Sequence, residues 1–552
     1  MDFLWIALLL AAPPPVAQGH RGMGPGMGRG RMGGMMARVT TSLPTATSEL
    51  FAGSGTCVLC HAGGGGSFQT AEGQNVSPVA LWQGTMMANA FRDPVFRAKV
   101  QAEVQENPSL EAYIEDKCLT CHAPMAFTEA HRQGTGYYRF QQAEANPLAR
   151  DGVSCTLCHQ IVPDNFGEAS SFSGGYRVNE RHEAYGPHKH PIAMPMIRHS
   201  GYRPVYSEHI QEAALCATCH TLFTPTVNDQ GEVVGEIPEQ TPFLEWLNSV
   251  YPDSGLTCQA CHMPALQERL RITTMPRMAP RRAPIHPHEF VGGNTYVLTL
   301  LERYGDLLKT AAPAAAFQEK RTQALANLRR AARLTVEHQG WTGDTLLLVV
   351  QVENLTGHKF PTGYPSRRAW LEVEVLQDDR VVFHSGAWDS TAGDLQGLDT
   401  PYEPHHRVIT QPDQVQVYES VMATPEGQVT QSLLRGLRYV KDNRIPPKGF
   451  RLQGPHTEHT AILGQAAEDP DFNRDRDMEG TGTDRVFYHI GGLSPQGQYT
   501  VRVTLWYQVL KPRFLQHLLS HEGDWITYLR QMTKETPETP VAVATATLSI
   551  TP

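Results

Sequence analysis

From Leu334 onward, apolar and polar residues alternate in short runs: "RLTVEHQGWTGDTLLLVVQVENL", "RRAWLEVEVLQDDRVVFHSG", "DQVQVYESVMAT", "QYTVRVTLWYQVL" and "PVAVATATLSI". These runs are rich in β-branched and aromatic residues and are separated by Gly, Asp and Asn, which predicts antiparallel strands. An all-β sandwich of about two hundred residues over 334–552 fits. Upstream the period changes. "PVFRAKVQAEVQENPSLEAYIEDKC" and "EQTPFLEWLNSVY" carry short helical patterns, separated by Pro/Gly-rich loops such as "SSFSGGYRVNERHEAYGPHKHPIAMPMIRHSGYRPVYSEHI". "GGNTYVLTLLERYGDLLK" closes this region near residue 312, and the helical "FQEKRTQALANLRRAARL" makes 313–333 a linker. The predicted fold class is α plus all-β in two domains: a loop-rich, mainly helical domain over 50–312, then an antiparallel β-sandwich.

At the N-terminus, "MDFLWIALLLAAPPPVAQGH" holds an apolar run from Phe3 to Ala12 that is too short to span a bilayer. It reads as a secretory signal over 1–19, cut after Ala17 or Gly19, and predicts a periplasmic or extracellular protein. No cysteine lies near the cut to carry a lipid anchor. Residues 20–49, Gly/Met/Arg-rich, lack the apolar content to order themselves and are expected to be flexible. No later segment is long and apolar enough for a membrane span. Charged residues make up 19% of the chain, below the usual quarter, while Gly (48) and Pro (40) are abundant. A net charge of -9 without a long basic run excludes nucleic acid as a partner.

The cysteines decide the chemistry. All ten fall in five Cys-x-x-Cys-His units: Cys57/Cys60/His61, Cys118/Cys121/His122, Cys155/Cys158/His159, Cys216/Cys219/His220 and Cys258/Cys261/His262. Two thiols three residues apart can form thioethers to the two vinyl groups of one porphyrin edge, and the adjacent histidine then serves as the proximal iron ligand. Zinc knuckles also use Cys-x-x-Cys, but four-cysteine sites need knuckles in pairs, and five is odd. Five covalent haem c groups are therefore expected, all within the mainly helical domain. Haem attachment to thiols outside the cytoplasm agrees with the signal, and it removes ten thiols that would otherwise risk scrambled disulfides.

With the motifs placed, "GTCVLCH" followed by a Trp-containing helix, "DKCLTCHAP", "GVSCTLCHQI", "LCATCHTL" and "CQACHMP" resemble, over roughly residues 50 to 300, the secreted multihaem cytochromes that include the tetrahaem electron acceptor of hydroxylamine oxidoreductase. The β-rich half, with "NLTGHKFPTGYPSRRAW", looks like the extension appended to many large multihaem cytochromes. The resemblance implies electron transfer through closely packed haems. It also implies a distal histidine on the helix after the first haem, where "WQGTMMA" has methionine instead. Met87, or Met86, is accordingly the expected sixth ligand of one haem, and Met/His ligation raises the reduction potential. The alternative is that both methionines fill core space.

The other distal ligands are expected among histidines outside the motifs: His188, His190, His199, His209, His286 and His288, on Pro-punctuated loops near the motifs, with His131 and His182 also available. His358 in "TGHKFPTG" could reach across from the β domain, but a turn role is the expectation there.

The sequence thus predicts an exported pentahaem cytochrome that carries single electrons between redox partner proteins. Two alternatives stay open. One is a redox enzyme acting on a small nitrogen or sulfur oxyanion at a haem with an open position. The other is a subunit of an extracellular cytochrome filament, with self-association through the β domain and the flexible segment. No Cys-x-x-Cys-Lys motif, triad or phosphate loop supports another enzyme class. Finally, "EDPDFNRDRDMEG" sets Asp469, Asp471, Asn473, Asp475 and Asp477 at alternate positions with Glu479 beyond, a candidate calcium loop. It lacks the central glycine and the distant bidentate glutamate of an EF-hand, so a solvated acidic loop is the competing reading.

Overall fold

On the strand Thr345–Asn354 the apolar side chains Leu346, Leu348, Val350 and Val352 are all buried, as are Tyr499, Val501, Val503, Leu505 and Tyr507 on Tyr499–Gln508. A side-chain period of two places each set on one face. The computed structural model describes residues 42–398, 400–476 and 478–552; the expected signal and most of the Gly/Met/Arg-rich segment lie outside them. Two larger sheets result. In the five-stranded sheet Val408–Ile409, Met478–Ile490, Thr345–Asn354 and Ala332–Thr342 follow in that order, with Phe472–Asp475 paired to Met478–Ile490. In the seven-stranded sheet the order is Val429–Thr430, Val417–Ala423, Arg368–Gln377, Tyr499–Gln508 and Val541–Ile550. Arg380–Ser385 and Arg438–Asp442 add to it as side branches. Pairing is antiparallel apart from Val408–Ile409, which runs parallel to Met478–Ile490.

Buried residues of both sheets meet in one hydrophobic cluster, and the helices join it. Val95, Ala98 and Ala102 of Pro94–Glu106 enter it, as do Val297, Leu300 and Leu301 of Thr295–Arg303 and Ala316, Phe317, Ala324 and Leu328 of Ala314–Leu328. The 313–333 stretch is therefore core rather than a free tether, and the described residues belong to one compact unit.

The C-terminal region also departs from an all-β reading. Pro512–Leu519 and Asp524–Glu535 are helices that pack on Pro94–Glu106. Their signal is a three-to-four-residue apolar spacing, Phe514 and Leu518, then Ile526, Leu529 and Met532, all buried. The Arg97 guanidinium lies 4.1 Å from the Trp525 ring centre and closes the contact.

Candidate functional site

Each motif lies on or at the end of a short helix: Val58–His61, Glu111–His122, Cys155–Cys158, Ala213–His220 and Cys258–His262. Residues three apart share one helix face, so a single turn aims both thiols the same way and places the histidine next to them. All ten cysteines are free thiols, none fully buried. The ten cysteines and five motif histidines line one continuous cavity of about 1400 Å³. Thiols from different motifs lie side by side there: Cys57 next to Cys155, Cys121 next to Cys219 and Cys216 next to Cys258. The fourth motif thus touches both the second and the fifth, while the first touches the third.

The motif histidines are prepared as metal ligands. The Nδ1–H groups of His122, His159 and His262 donate to the carbonyl oxygens of Ala90 (3.0 Å), Tyr185 (2.6 Å) and Val291 (2.6 Å). A backbone acceptor at Nδ1 fixes the tautomer and leaves the Nε2 lone pair free. Burial pushes the imidazoles of His61, His122 and His220 down to about 4, which keeps them neutral near pH 7. Gly152 lets the chain just before the third motif approach the Met86–Met87 turn: with φ of 63°, any Cβ there would meet the Met87 carbonyl oxygen at 2.6 Å.

Two of these rings face a second imidazole. His288 lies parallel to His159, with centres 6.1 Å apart and planes at 20°. His358 lies parallel to His262, at 6.3 Å and 16°. A metal bonded to two imidazole nitrogens at about 2.0–2.1 Å, with each ring centre about 1 Å further, requires roughly 6 Å between centres. Both pairs therefore fit a haem iron between them. Burial pushes the His288 imidazole down to about 3 and lowers that of His358 as well.

The expectation of a turn role for His358 needs correction: its loop carries the ring into the cavity. The same loop brings Thr362, Tyr364 and Arg367 to the cavity wall, and Thr362 Oγ1, Tyr364 OH and Arg367 Nε are buried without a protein partner. Unpaired buried donors of this kind suit the carboxylate edge of a porphyrin. Sequence reading had one available signal for this loop, the run "TGHKFPTGYPSRR" with its histidine, tyrosine and arginines between two strands.

His188, His199, His286 and His288 line the cavity, whereas His190 and His209 do not. His209 is buried with both nitrogens engaged, Nδ1 with Ser207 Oγ (2.6 Å) and Nε2 with the Ile161 carbonyl (2.9 Å), so no lone pair is left for iron. His190 is exposed on a left-handed turn. His131 and His182 also sit outside the cavity, bonded to Asp116 and to the Glu49 carbonyl. Met86 and Met87 both line the cavity, on consecutive turns after the helix Pro78–Trp82 rather than on a helix. Met86 also packs against the large hydrophobic cluster.

The acidic loop does not gather as a calcium cage. Asp469 Oδ2 accepts from His405 Nε2 at 3.0 Å, and Asp471 pairs with Arg407 at 2.7 Å. The Asn473 side chain bonds the Phe450 carbonyl and the Gly482 amide. His405 and Arg407 have thus taken the Asp469 and Asp471 carboxylates that a calcium ion would need. Asp477 lies outside the described residues.

Residues 56–160 match the family model described as cytochrome c554 and c-prime, a stretch that holds the first three motifs. A solved structure, the crystal structure of a penta-heme cytochrome c552 from Thermochromatium tepidum, is similar with a TM-score of 0.50 at 17% identity, covering 86% of this chain and 96% of that chain. That coverage extends well past residue 334, so the likeness in fold includes the β-rich half. None of the curated proteins matches the chain. The family match, which holds three of the motifs, supports a c-type cytochrome with covalently bound haem c; the solved structure bears on the fold. Among the described residues no helix is long and apolar enough to cross a membrane.

Proposed function

We propose that this protein is an exported pentahaem c-type cytochrome that passes electrons one at a time between redox partners. The observation that carries the reading is the single cavity joining five Cys-x-x-Cys-His units, two of whose histidines face a second imidazole. Bound haem supplies an iron that cycles between two oxidation states, with its potential set by ligands, burial and hydrogen bonding. The cysteine thiols anchor the five groups, and the motif histidines are the proximal ligands. His288 and His358 are the sixth ligands opposite His159 and His262. His188, His199, His286 and one of Met86 or Met87 are the remaining distal candidates. In this reading the fourth site lies between the second and the fifth, and the first lies beside the third.

In this reading residues 50–312 form the haem domain and 313–333 a helical connection. Residues 334–552 form a β-sandwich with helical additions, which serves as the cavity wall that delivers His358 and Arg367. The periplasm or the cell exterior is the expected location. Low-temperature electron paramagnetic resonance of the oxidised protein tests the ligand set: paired imidazoles give low-spin iron, and loss of His288 or His358 gives a high-spin signal.

One observation favours the enzyme reading for a single site. Near Cys118 the cavity wall carries Glu103, Glu239 and Tyr364, and the Tyr364 hydroxyl has no partner. Burial pushes the Glu239 carboxyl up to about 7, with Glu103 adding to it. A proton-bearing pocket beside a haem suits reduction or oxidation of a small nitrogen or sulfur oxyanion. A spectral shift on adding nitrite or sulfite, absent in Tyr364→Phe, would favour that chemistry over pure carriage.

A further inference from the structure

Where the C-terminal helices meet the haem half, one carboxylate oxygen faces two imidazoles. Glu106 Oε1, at the end of the helix Pro94–Glu106, lies 3.0 Å from His517 Nε2 and 2.9 Å from His521 Nε2. His517 is on the helix Pro512–Leu519, and His521 lies two residues past its end, its Nδ1 folded back on the His517 carbonyl. The three side chains are 21%, 30% and 15% exposed, so the group is sheltered but reachable from solvent.

Tautomers decide what holds the trio together. His521 Nδ1 lies 2.9 Å from the His517 carbonyl oxygen and must donate to it, so Nε2 meets the carboxylate either as the second N–H of an imidazolium or as a lone pair that a metal ion bridges. A nitrogen and a carboxylate oxygen at 2.9 Å need a proton or a metal ion between them. A backbone carbonyl at Nδ1 is the arrangement that orients a metal-ligating histidine. The His517 Nδ1 atom is buried without a partner, so no backbone acceptor sets its tautomer and Glu106 alone faces its Nε2. The other compact cluster among the described residues, His405 with Asp469 and Asp484, is different. The amides of Gln416 and Asn443 donate to His405 Nδ1, so its Nε2 carries the proton that bonds Asp469, and no lone pair is left for a metal.

We propose that Glu106, His517 and His521 form a mononuclear site for a divalent transition-metal ion of the zinc class, separate from the haems. Two imidazole nitrogens and one carboxylate, with a solvent-facing fourth position, are a recognised ligand set for such ions. The scaffold is fixed on both sides: Gln101 Oε1 accepts from the Trp525 amide at 2.9 Å, and Gln105 Oε1 from the Glu522 amide at 3.1 Å. The ion would tie the C-terminal helices to the helix whose Phe96 stacks on the proximal His122 ring, at 3.6 Å between centres. Metal occupancy would thus bear on the rigidity of the second haem's surroundings.

The test uses the intact holoprotein. After chelator treatment and gel filtration, zinc binding is followed by equilibrium dialysis with elemental analysis, and the zinc-edge X-ray absorption spectrum reads the ligands without interference from iron. The expected result is one zinc per chain with two imidazoles in its shell. Binding should weaken by about 100-fold or more in His517→Ala and in Glu106→Gln, while the haem spectrum of each variant stays that of the parent. His521→Gln serves as a third variant should either of these lose haem. Sub-stoichiometric zinc, or zinc bound equally by parent and variants, would overturn the proposal and leave His521 as a protonated ion-pair partner of Glu106.

Discussion

The rings of His262 and His358 lie parallel, 6.3 Å apart, although 96 positions of sequence and the change from helices to strands separate them. One belongs to the last haem motif and the other to a loop of the β-rich half. The β half therefore completes the haem cavity rather than trailing it. Substituting His358 by Ala should convert one of the five haems from low-spin to high-spin iron in the electron paramagnetic resonance spectrum, with haem content unchanged. His288→Ala should do the same to a different haem, and the double variant should show two. An unaltered low-spin spectrum in His358→Ala would remove that residue from the ligand set.

A buried ion cluster holds the His358 loop. Lys359 Nζ lies 2.7 Å from Asp442 Oδ2, and both side chains are almost fully buried. Arg444 bonds the same carboxylate and reaches Glu245 of the haem half at 3.2 Å. Glu245 Oε2 in turn accepts from the Lys359 amide at 2.9 Å. Removing one member of a buried pair leaves the other uncompensated, at about 3–5 kcal/mol. Asp442→Asn should lower stability by that order in chemical denaturation and should also raise the high-spin fraction as His358 loses its position. A stability change without any spectral change would separate the cluster from the ligand.

Near Cys118 the Glu239 carboxyl, held by Thr224 Oγ1 at 2.5 Å, is pushed by burial up to about 7. Below that pH it is neutral; above it, a buried negative charge beside the second haem favours oxidised iron. The midpoint potential of that haem should therefore fall as pH rises between roughly 6 and 8, by up to about 59 mV per unit. Glu239→Gln should flatten the curve and hold the potential at its low-pH value. Spectroelectrochemistry at several pH values reads this directly, and an equal slope in the variant would exclude Glu239 as the source.

Met86 and Met87 both reach the cavity, and only one can serve an iron on a given face. If one does, a histidine/methionine charge-transfer band should appear in near-infrared magnetic circular dichroism and vanish in one of Met86→Ala and Met87→Ala but not the other. The haem concerned should then move to lower potential, within the roughly 0.8 V range that axial ligands span. With no such band, both sulfurs are core atoms.

Much of this architecture is legible in the sequence because its signals are local. Cys-x-x-Cys-His is complete within five residues, and the strands announce themselves through alternation, as in "LLLVVQV". The turn after Trp82, the thiol contacts between motifs and the pairing of His262 with His358 depend on long-range packing, which no window of sequence contains. His209 shows the reverse: it sits on a promising loop near a motif, yet Ser207 and the Ile161 carbonyl take both its nitrogens. The helices Pro512–Leu519 and Asp524–Glu535 did carry a readable three-to-four spacing, obscured by the strand-rich runs on either side. The acidic run near Asp469 shows how charge spacing misleads when Arg407 and His405, some sixty residues earlier, supply the partners.

The most direct test of the central claim is intact-protein mass spectrometry of the mature holoprotein, combined with thiol alkylation under denaturing conditions. The account predicts a mass increase of five haems per chain and no thiol open to alkylation, because all ten cysteines are held as thioethers. Fewer than five haems, or any motif cysteine that alkylates, would contradict it.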